Sequence, residues 1–159
     1  MIGNPEVIAV MQRAVSAESQ AEHQYIADAE WLDRIGLIGL AAFIAKRADE
    51  EKEHLTDFCR RLIFFGADPI IAPKPTQGHP NVTDMLRNEL RLEMESVALY
   101  TEACQTCLAV GDFVTFDIAR EILSDEDEHV RYIEGTLYLI AQMGEANYLQ
   151  GYIQLPEVK

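Results

Sequence analysis

The sequence predicts an all-α protein, a four-helix bundle with one long crossover and a short C-terminal helix. Four long segments have apolar residues at every third or fourth position, and each segment ends near a glycine. A proline-rich stretch separates the second segment from the third, where no helix can continue. At 159 residues the chain fits a single domain, residues 1–159, large enough to bury a core without disulfides.

The helix bounds follow from start and stop signals in the sequence. Asn4 followed by Pro5 is typical of a helix start, because asparagine caps the free amides and proline is tolerated in the first turn. Glycines then mark the predicted helix ends at Gly36, Gly66, Gly111 and Gly144. The predicted helices span about residues 5–35, 39–65, 83–110 and 112–143, with a short one over 145–153.

The links between the helices predict how they are connected in space. Only a few residues join the first helix to the second and the third to the fourth, so each pair is predicted to be an antiparallel hairpin. The crossover over residues 67–82 reaches ~50 Å when extended, and a helix of about 28 residues measures ~42 Å. The crossover can therefore run the length of the bundle, which makes the second and third helices parallel.

The charge of the chain favours cations as partners. There are 27 acidic and 13 basic residues, a formal charge of -14, which repels nucleic acid and anionic membranes. The N-terminus has no basic segment followed by an apolar run, and the longest apolar stretch, residues 37–45, is too short to span a bilayer. We expect a cytoplasmic protein that binds neither nucleic acid nor a membrane.

The three cysteines are expected to be structural. Cys59, Cys104 and Cys107 are an odd number, and nothing in the chain indicates an oxidising compartment. Cys104 and Cys107 form a C-x-x-C pair in the middle of a helix, away from the helix start that would activate a thiol. We therefore interpret them as core residues.

The predicted inward face of every helix turns polar near its middle, and the two hairpins repeat the same polar groups. One offset of 75 positions relates all the repeated pairs, which are Glu18 and Glu93, Glu51 and Glu126, His54 and His129, Tyr25 and Tyr100, and Gly36 and Gly111. Two such hairpins would meet about a pseudo-two-fold axis. This arrangement predicts four carboxylates and two imidazoles around one point, a site for two metal ions.

Burial explains why these residues are predicted to be metal ligands. Four ionised carboxylates in an apolar seam cost several kcal/mol each unless they are compensated. Two divalent cations would neutralise them, and imidazoles can bind while neutral. Arg47 and Arg61 face the same seam and are the metal-free alternative, although they supply only two charges. Glu53 and Glu128 lie on the opposite side of their helices and are excluded as ligands.

The single Glu on two helices and the Glu-x-x-His motif on the other two are the pattern of ferritin-like di-iron and di-manganese proteins. The sequence resembles the bacterioferritins from Asn4 to Gln150, nearly the whole chain. The resemblance implies a ferroxidase that oxidises Fe(II) with dioxygen or hydrogen peroxide at a di-iron centre. It also implies storage of the product as mineral inside a homo-oligomeric cage, with 24 subunits expected.

The resemblance also implies a role for each residue of the site. Glu18 and His54 would hold one iron, Glu93 and His129 the other, and Glu51 and Glu126 would bridge the two. Tyr25 and Tyr100 would lie behind the ligands, where they could hydrogen-bond them or donate an electron. Asp125 and Glu50 would orient the histidines across the bundle.

Lys52 departs from the family pattern. It stands where bacterioferritins have the methionine that ligates haem, so haem is not expected at this position. The shell is then either haem-free or mixed with a subunit that supplies the methionine. Glu22, also on the predicted inward stripe, is either an additional iron ligand or a partner of Arg47 or Arg61.

Two other functions are compatible with the same bundle. One is a di-metal peroxidase of the rubrerythrin type or a manganese catalase, although the sequence lacks rubredoxin-like cysteine pairs. The other is a structural subunit of a mixed shell, whose metal site is mainly architectural. The intact set of six ligands favours the ferroxidase over both.

Overall fold

The computed structural model describes residues 3–153, and the all-α prediction is confirmed: the described residues contain no strand. Residues 1–2 and 154–159 of the predicted domain lie outside the described range. A turn of 3-10 helix, Gln150–Tyr152, follows the last α-helix. The α-helices are α1 Pro5–Arg34, α2 Ile38–Phe64, α3 Val82–Val110, α4 Phe113–Met143 and α5 Glu145–Leu149.

Side-chain caps fix where three of the long helices begin. The Asn4 side chain accepts a hydrogen bond from the amide of Glu6 at 2.8 Å, at the start of α1. Asn81 does the same at the start of α3, and Asp112 at the start of α4. These bonds satisfy amides that have no partner within their own helix.

The crossover lies along α1, and side chains of α1 hold its backbone. The Gln12 side chain accepts from the amide of Ile70 at 2.9 Å, and the Gln24 side chain accepts from the amide of Gln77 at 2.9 Å. The contacts advance along α1 as the crossover advances, so the crossover runs the same way as α1. It therefore carries the chain to the opposite end of the bundle, which makes α2 and α3 parallel, as predicted.

Two apolar clusters fill the bundle on either side of its polar middle. One cluster includes Leu32, Ile44 and Leu86, and the other includes Phe58 and Leu62. The side chains of both clusters are almost completely inaccessible to solvent. The polar layer between them is therefore enclosed at both ends. Within residues 3–153, no helix has the length and apolarity needed to cross a membrane.

Candidate metal centre

The six side chains predicted as metal ligands lie together in the polar middle of the bundle. None of them is more than 8% exposed. α1 and α3 each contribute one carboxylate, and α2 and α4 each contribute a carboxylate and an imidazole. The six are Glu18, Glu51, His54, Glu93, Glu126 and His129.

The six residues form two overlapping groups of potential ligands. In the first group, ligand atoms of Glu18, His54, Glu51 and Glu126 lie within 4.8 Å of one another. In the second group, Glu93 and another histidine join the same Glu51 and Glu126. Both groups share the carboxylates of Glu51 and Glu126. This geometry can hold two ions that two carboxylates bridge.

Each imidazole directs Nδ1 towards the carboxylates. The Nδ1 of His129 lies 3.3 Å from Glu126, 3.4 Å from Glu93 and 3.5 Å from Glu51. The Nδ1 of His54 lies 3.5 Å from Glu126 and 3.7 Å from Glu51. It is also 3.7 Å from the carboxylate of Glu18. The outer Nε2 atoms remain free to interact with other side chains.

Two buried tyrosines hydrogen-bond the single carboxylates of α1 and α3. Tyr25, on α1, donates its hydroxyl hydrogen to Glu93, and Tyr100, on α3, donates to Glu18. Each bond links one hairpin to the other, and the two bonds are related by the pseudo-two-fold axis. The tyrosines orient two of the six carboxyl and imidazole groups and connect the hairpins at the level of the site.

Burial and mutual repulsion affect the carboxylates strongly. Burial, followed by the repulsion of Glu51, raises the pKa of Glu18 well above its usual range. Burial and the neighbouring Glu126 raise the pKa of Glu93 in the same way. Burial alone would also raise the pKa of Glu126, but its close contacts with Glu93 and with the two imidazoles lower it. The interior therefore disfavours the ionised forms of Glu18 and Glu93.

The two imidazoles, unlike the carboxyl groups of Glu18 and Glu93, are shifted towards their charged form. Burial alone would lower the pKa of His129, but the carboxylates of Glu126, Glu51 and Glu93 raise it to about 11. The same kind of contact raises the pKa of His54 far above its usual value, again against the effect of burial. The cluster therefore attracts positive charge, which either protons or metal ions can supply.

Several polar atoms of the cluster accept or donate no hydrogen bond, although they are buried. They are Oε2 of Glu18, Oε1 of Glu51, both carboxylate oxygens of Glu126, and Nδ1 of His54 and His129. Buried polar atoms without partners are costly, and all of these atoms belong to types that bind divalent metals. The donor set therefore fits a pair of metal ions.

The two arginines that could have neutralised the carboxylates lie elsewhere. Arg47 pairs with Glu50 at 3.1 Å. Arg61 pairs with Asp112 at 3.0 Å and stacks over the ring of Phe65. Among the described residues, neither arginine forms an ion pair with the four central carboxylates. The alternative in which these two arginines, and not metal ions, neutralise the four carboxylates is therefore not found among the described residues.

Other charged residues that the sequence singled out lie around the site. Glu22 is only partly buried and pairs with neither Arg47 nor Arg61 in the described structure, so its predicted role as an arginine partner is wrong. Glu53 and Glu128 are exposed. They line an outer cavity of about 200 Å³ that reaches the two histidines.

Lys52 is exposed on α2, and the pair Cys104 and Cys107 is buried without a disulfide.

Three buried polar residues near the centre escaped the sequence analysis. Gln24, Asp28 and Glu89 are each at most 2% exposed, although a bare four-helix bundle would leave part of this surface in water. The crossover covers it: the Gln24 amide donates to the backbone oxygen of Gln77, and His79 lies 3.6 Å from Asp28. Burial raises the pKa of Glu89 well above its usual range, which favours a neutral carboxylic acid there. Only its position one helical turn before Glu93 signalled this burial in the sequence.

Asp28 should make stability depend on pH. Burial raises its pKa from 3.8 to about 7, against the lowering effect of the Gln24 hydrogen bond. The unfolded chain therefore loses the proton at lower pH than the folded chain, so stability falls as pH rises from about 4 to about 7. Asp28→Asn should remove the contribution of Asp28 to this slope, so the difference in stability between the two proteins should change by about 2–4 kcal/mol across that window. Urea unfolding at several pH values measures it, and parallel curves would contradict the assignment.

The fold and the site together define a class. Helical bundles with one long crossover, a Glu on each of two helices and a Glu-x-x-His motif on each of the others are ferritin-like carboxylate proteins with dinuclear metal sites.

Comparison with known proteins agrees with that class. A family model described as a ferritin-like domain matches residues 8–143. A bacterial ferritin of Pseudomonas aeruginosa is 31% identical over 154 residues, which cover 96% of this chain and all of the relative. A bacterioferritin of Brucella melitensis is 32% identical over 94% of each chain, and one of Streptomyces coelicolor is 29% identical over 97% of this chain and 93% of its own. The chain belongs to the ferritin-like family, and the predicted resemblance to bacterioferritins is confirmed.

Proposed function

We propose that the protein is a ferroxidase that binds two Fe(II) ions in the bundle, oxidises them, and stores Fe(III) as mineral inside a cage of identical subunits. One observation carries this proposal: six buried carboxylate and imidazole groups form two overlapping ligand sets that share two carboxylates. The names of the relatives, ferritin and bacterioferritin, support iron as the metal.

Each side chain of the site would have a definite role. Glu18 with His54, and Glu93 with His129, would each bind one substrate ion, and Glu51 and Glu126 would bridge the pair. Two Fe(II) ions held together supply two electrons, which reduce O2 to H2O2 or H2O2 to two waters with the uptake of two protons. The protein contributes fixed positions for the ions in a buried site.

The tyrosines and the outer carboxylates would hold the ligands in place. Tyr25 and Tyr100 fix the carboxylates of Glu93 and Glu18, so that the oxygens not bonded to tyrosine can face a metal ion. Exposed carboxylates around the outer cavity attract cations to the two histidines. We propose this cavity as the route of Fe(II) to the site.

Assembly into a cage is the second half of the proposal. Large apolar side chains remain exposed near one end of the subunit, including Ile63 (63%), Phe64 (56%), Phe113 (65%) and Val114 (60%). Exposed apolar surface of this kind marks contacts between proteins. Sedimentation combined with iron analysis tests this half of the proposal: a large particle containing iron supports it, whereas a small oligomer would favour a di-metal peroxidase.

We expect a shell of this subunit alone to bind no haem through position 52. Lys52 is exposed on α2, and its amine lacks the thioether sulfur that ligates haem iron at this position in the bacterioferritins it resembles. The protein purified from a host expressing this chain alone should show no haem absorption band. Introducing Lys52→Met is the matched test: haem bound by that variant and not by the original chain would support the assignment. A haem-loaded shell of the original chain would refute it.

A further inference from the structure

The outer nitrogens of the two histidines face carboxylates on the opposite helix. The Nε2 of His129 lies 3.5 Å from Glu50 of α2, and the Nε2 of His54 lies 3.4 Å from Asp125 of α4. Glu50 and Asp125 are 75 positions apart, so they are equivalent under the internal repeat. A carboxylate at the outer nitrogen orients an imidazole and strengthens it as a metal ligand.

The two equivalent carboxylates differ in their ion-pair partners and in their exposure to solvent. Glu50 pairs with Arg47 at 3.1 Å and with Lys46 at 3.4 Å. Among the described residues, Asp125 has no ion-pair partner except His54. The Asp125 side chain is 51% exposed, against 34% for Glu50. Glu50 is therefore fixed by cations, whereas water competes for Asp125.

Arg47 is itself held between the hairpins. The carbon of its guanidinium lies 5.2 Å from the ring centre of Phe43 on α2 and 5.8 Å from that of Tyr132 on α4. Its side chain is only 15% exposed. The equivalent position on α4 is Ile122, which is buried and has no charge to offer Asp125. The internal symmetry is thus broken at this position, beside one of the two metal subsites.

The interior of the site shows the same asymmetry. The distances from Nδ1 of His129 to its three carboxylates run from 3.3 to 3.5 Å. Those from Nδ1 of His54 run from 3.5 to 3.7 Å. The Nδ1 of His129 therefore lies slightly closer to its carboxylates than the Nδ1 of His54 does.

We infer that Arg47 is a positioning residue that makes the two metal subsites unequal. Through Glu50 it locks His129, so the Glu93–His129 subsite binds its ion first and more tightly. The Glu18–His54 subsite, whose outer carboxylate lacks such support, fills second and exchanges its ion more readily. This inference rests on the proposed function only in requiring that the six residues bind two metal ions.

Anaerobic titration with Co(II), which can bind to the site without being oxidised, tests the inference. Metal-stripped protein, in the assembled state in which it purifies, is titrated while the visible absorption of bound Co(II) is followed. The original chain should bind two Co(II) per subunit in two resolved steps. Arg47→Met keeps an unbranched side chain between the two aromatic rings but removes the charge. It should weaken the first step by about tenfold to a hundredfold and leave the second nearly unchanged.

The internal repeat supplies matched controls. Ile122→Met introduces the same residue at the equivalent position and should leave both steps in place. Asp125→Asn should instead weaken the second step alone. Thermal unfolding of each variant in chelator verifies that the fold is intact, so a loss of binding reports on the site.

A second measurement separates positioning from a general structural effect. Bound Co(II) shifts the proton resonances of a ligating imidazole, and the outer N–H signal is visible only while its proton is protected from exchange with water. The His129 signal should exchange slowly in the original chain and rapidly in Arg47→Met, while the His54 signal exchanges rapidly in both. Equal exchange of the two signals in the original chain would overturn the inference.

The outcomes distinguish the inference from the function beneath it. If the original chain binds fewer than two Co(II) ions per subunit, the proposed di-metal site fails, and the inference fails with it. If the original chain binds two and Arg47→Met binds them with the same two affinities, the inference alone is refuted.

Discussion

Replacing Glu18 or His129 by alanine should abolish the fast oxidation of Fe(II). Each variant removes a proposed ligand from one subsite, so under the proposed function the two ions would no longer be held as a pair that delivers two electrons together. We expect the initial rate to fall by roughly two orders of magnitude or more, because losing even an outer-sphere partner of a metal ligand costs about 10–100-fold. Stopped-flow absorbance after mixing with two Fe(II) per subunit in air measures this rate.

Glu53→Ala and Glu128→Ala are the matched controls for this experiment. They change residues on the same helices, two positions from Glu51 and one from His129, but both side chains are exposed and face the outer cavity. We expect the fast phase to survive in both, with at most a moderate loss through weaker attraction of cations. The ferroxidase proposal is wrong if the ligand variants and the controls oxidise iron at the same rate.

Glu18→Gln should be more stable than the original chain in chelator and less stable than the original chain when metal is bound. In chelator the variant should be the more stable protein, because it removes a carboxyl group whose pKa burial and Glu51 raise well above the usual value. Glutamine still offers an oxygen to the Tyr100 hydroxyl. With Zn(II) or Co(II) at 100 times the dissociation constant, two sites stabilise the original chain by ~5 kcal/mol, and the variant loses the half of this contribution that comes from the subsite of Glu18.

Differential scanning calorimetry in the two conditions measures the reversal. For a domain of this size, ~5 kcal/mol corresponds to a rise of roughly 10–20 °C in Tm. Glu53→Gln, which changes an exposed glutamate of α2, should follow the original chain in both conditions. An identical ranking of the original chain and Glu18→Gln with and without metal would show that the four carboxylates are compensated in another way.

The sequence predicted the helices and the parallel orientation of α2 and α3, because caps, glycines and the prolines of the crossover act locally. It also predicted which six polar side chains would meet, since one offset of 75 positions repeats their spacing in both hairpins. That they bind metal, and which metal, is a proposal that the experiments above address.

What the sequence could not provide depends on contacts between distant segments. Gln24 and Asp28 are buried only because the crossover lies over α1, and no local pattern indicates which helix a crossover will cover. The alternative in which Glu22 pairs with Arg47 or Arg61 was wrong for a related reason. The direction of Arg47 is decided by rings on two helices, Phe43 and Tyr132, whose proximity exists only in the folded chain.

The reciprocal bonds from Tyr25 to Glu93 and from Tyr100 to Glu18 have a consequence for biosynthesis. Each group of four potential ligands draws on both halves of the chain, so a nascent polypeptide that has emerged only as far as α2 lacks at least one member of each group. We expect iron capture to await the docking of the second half.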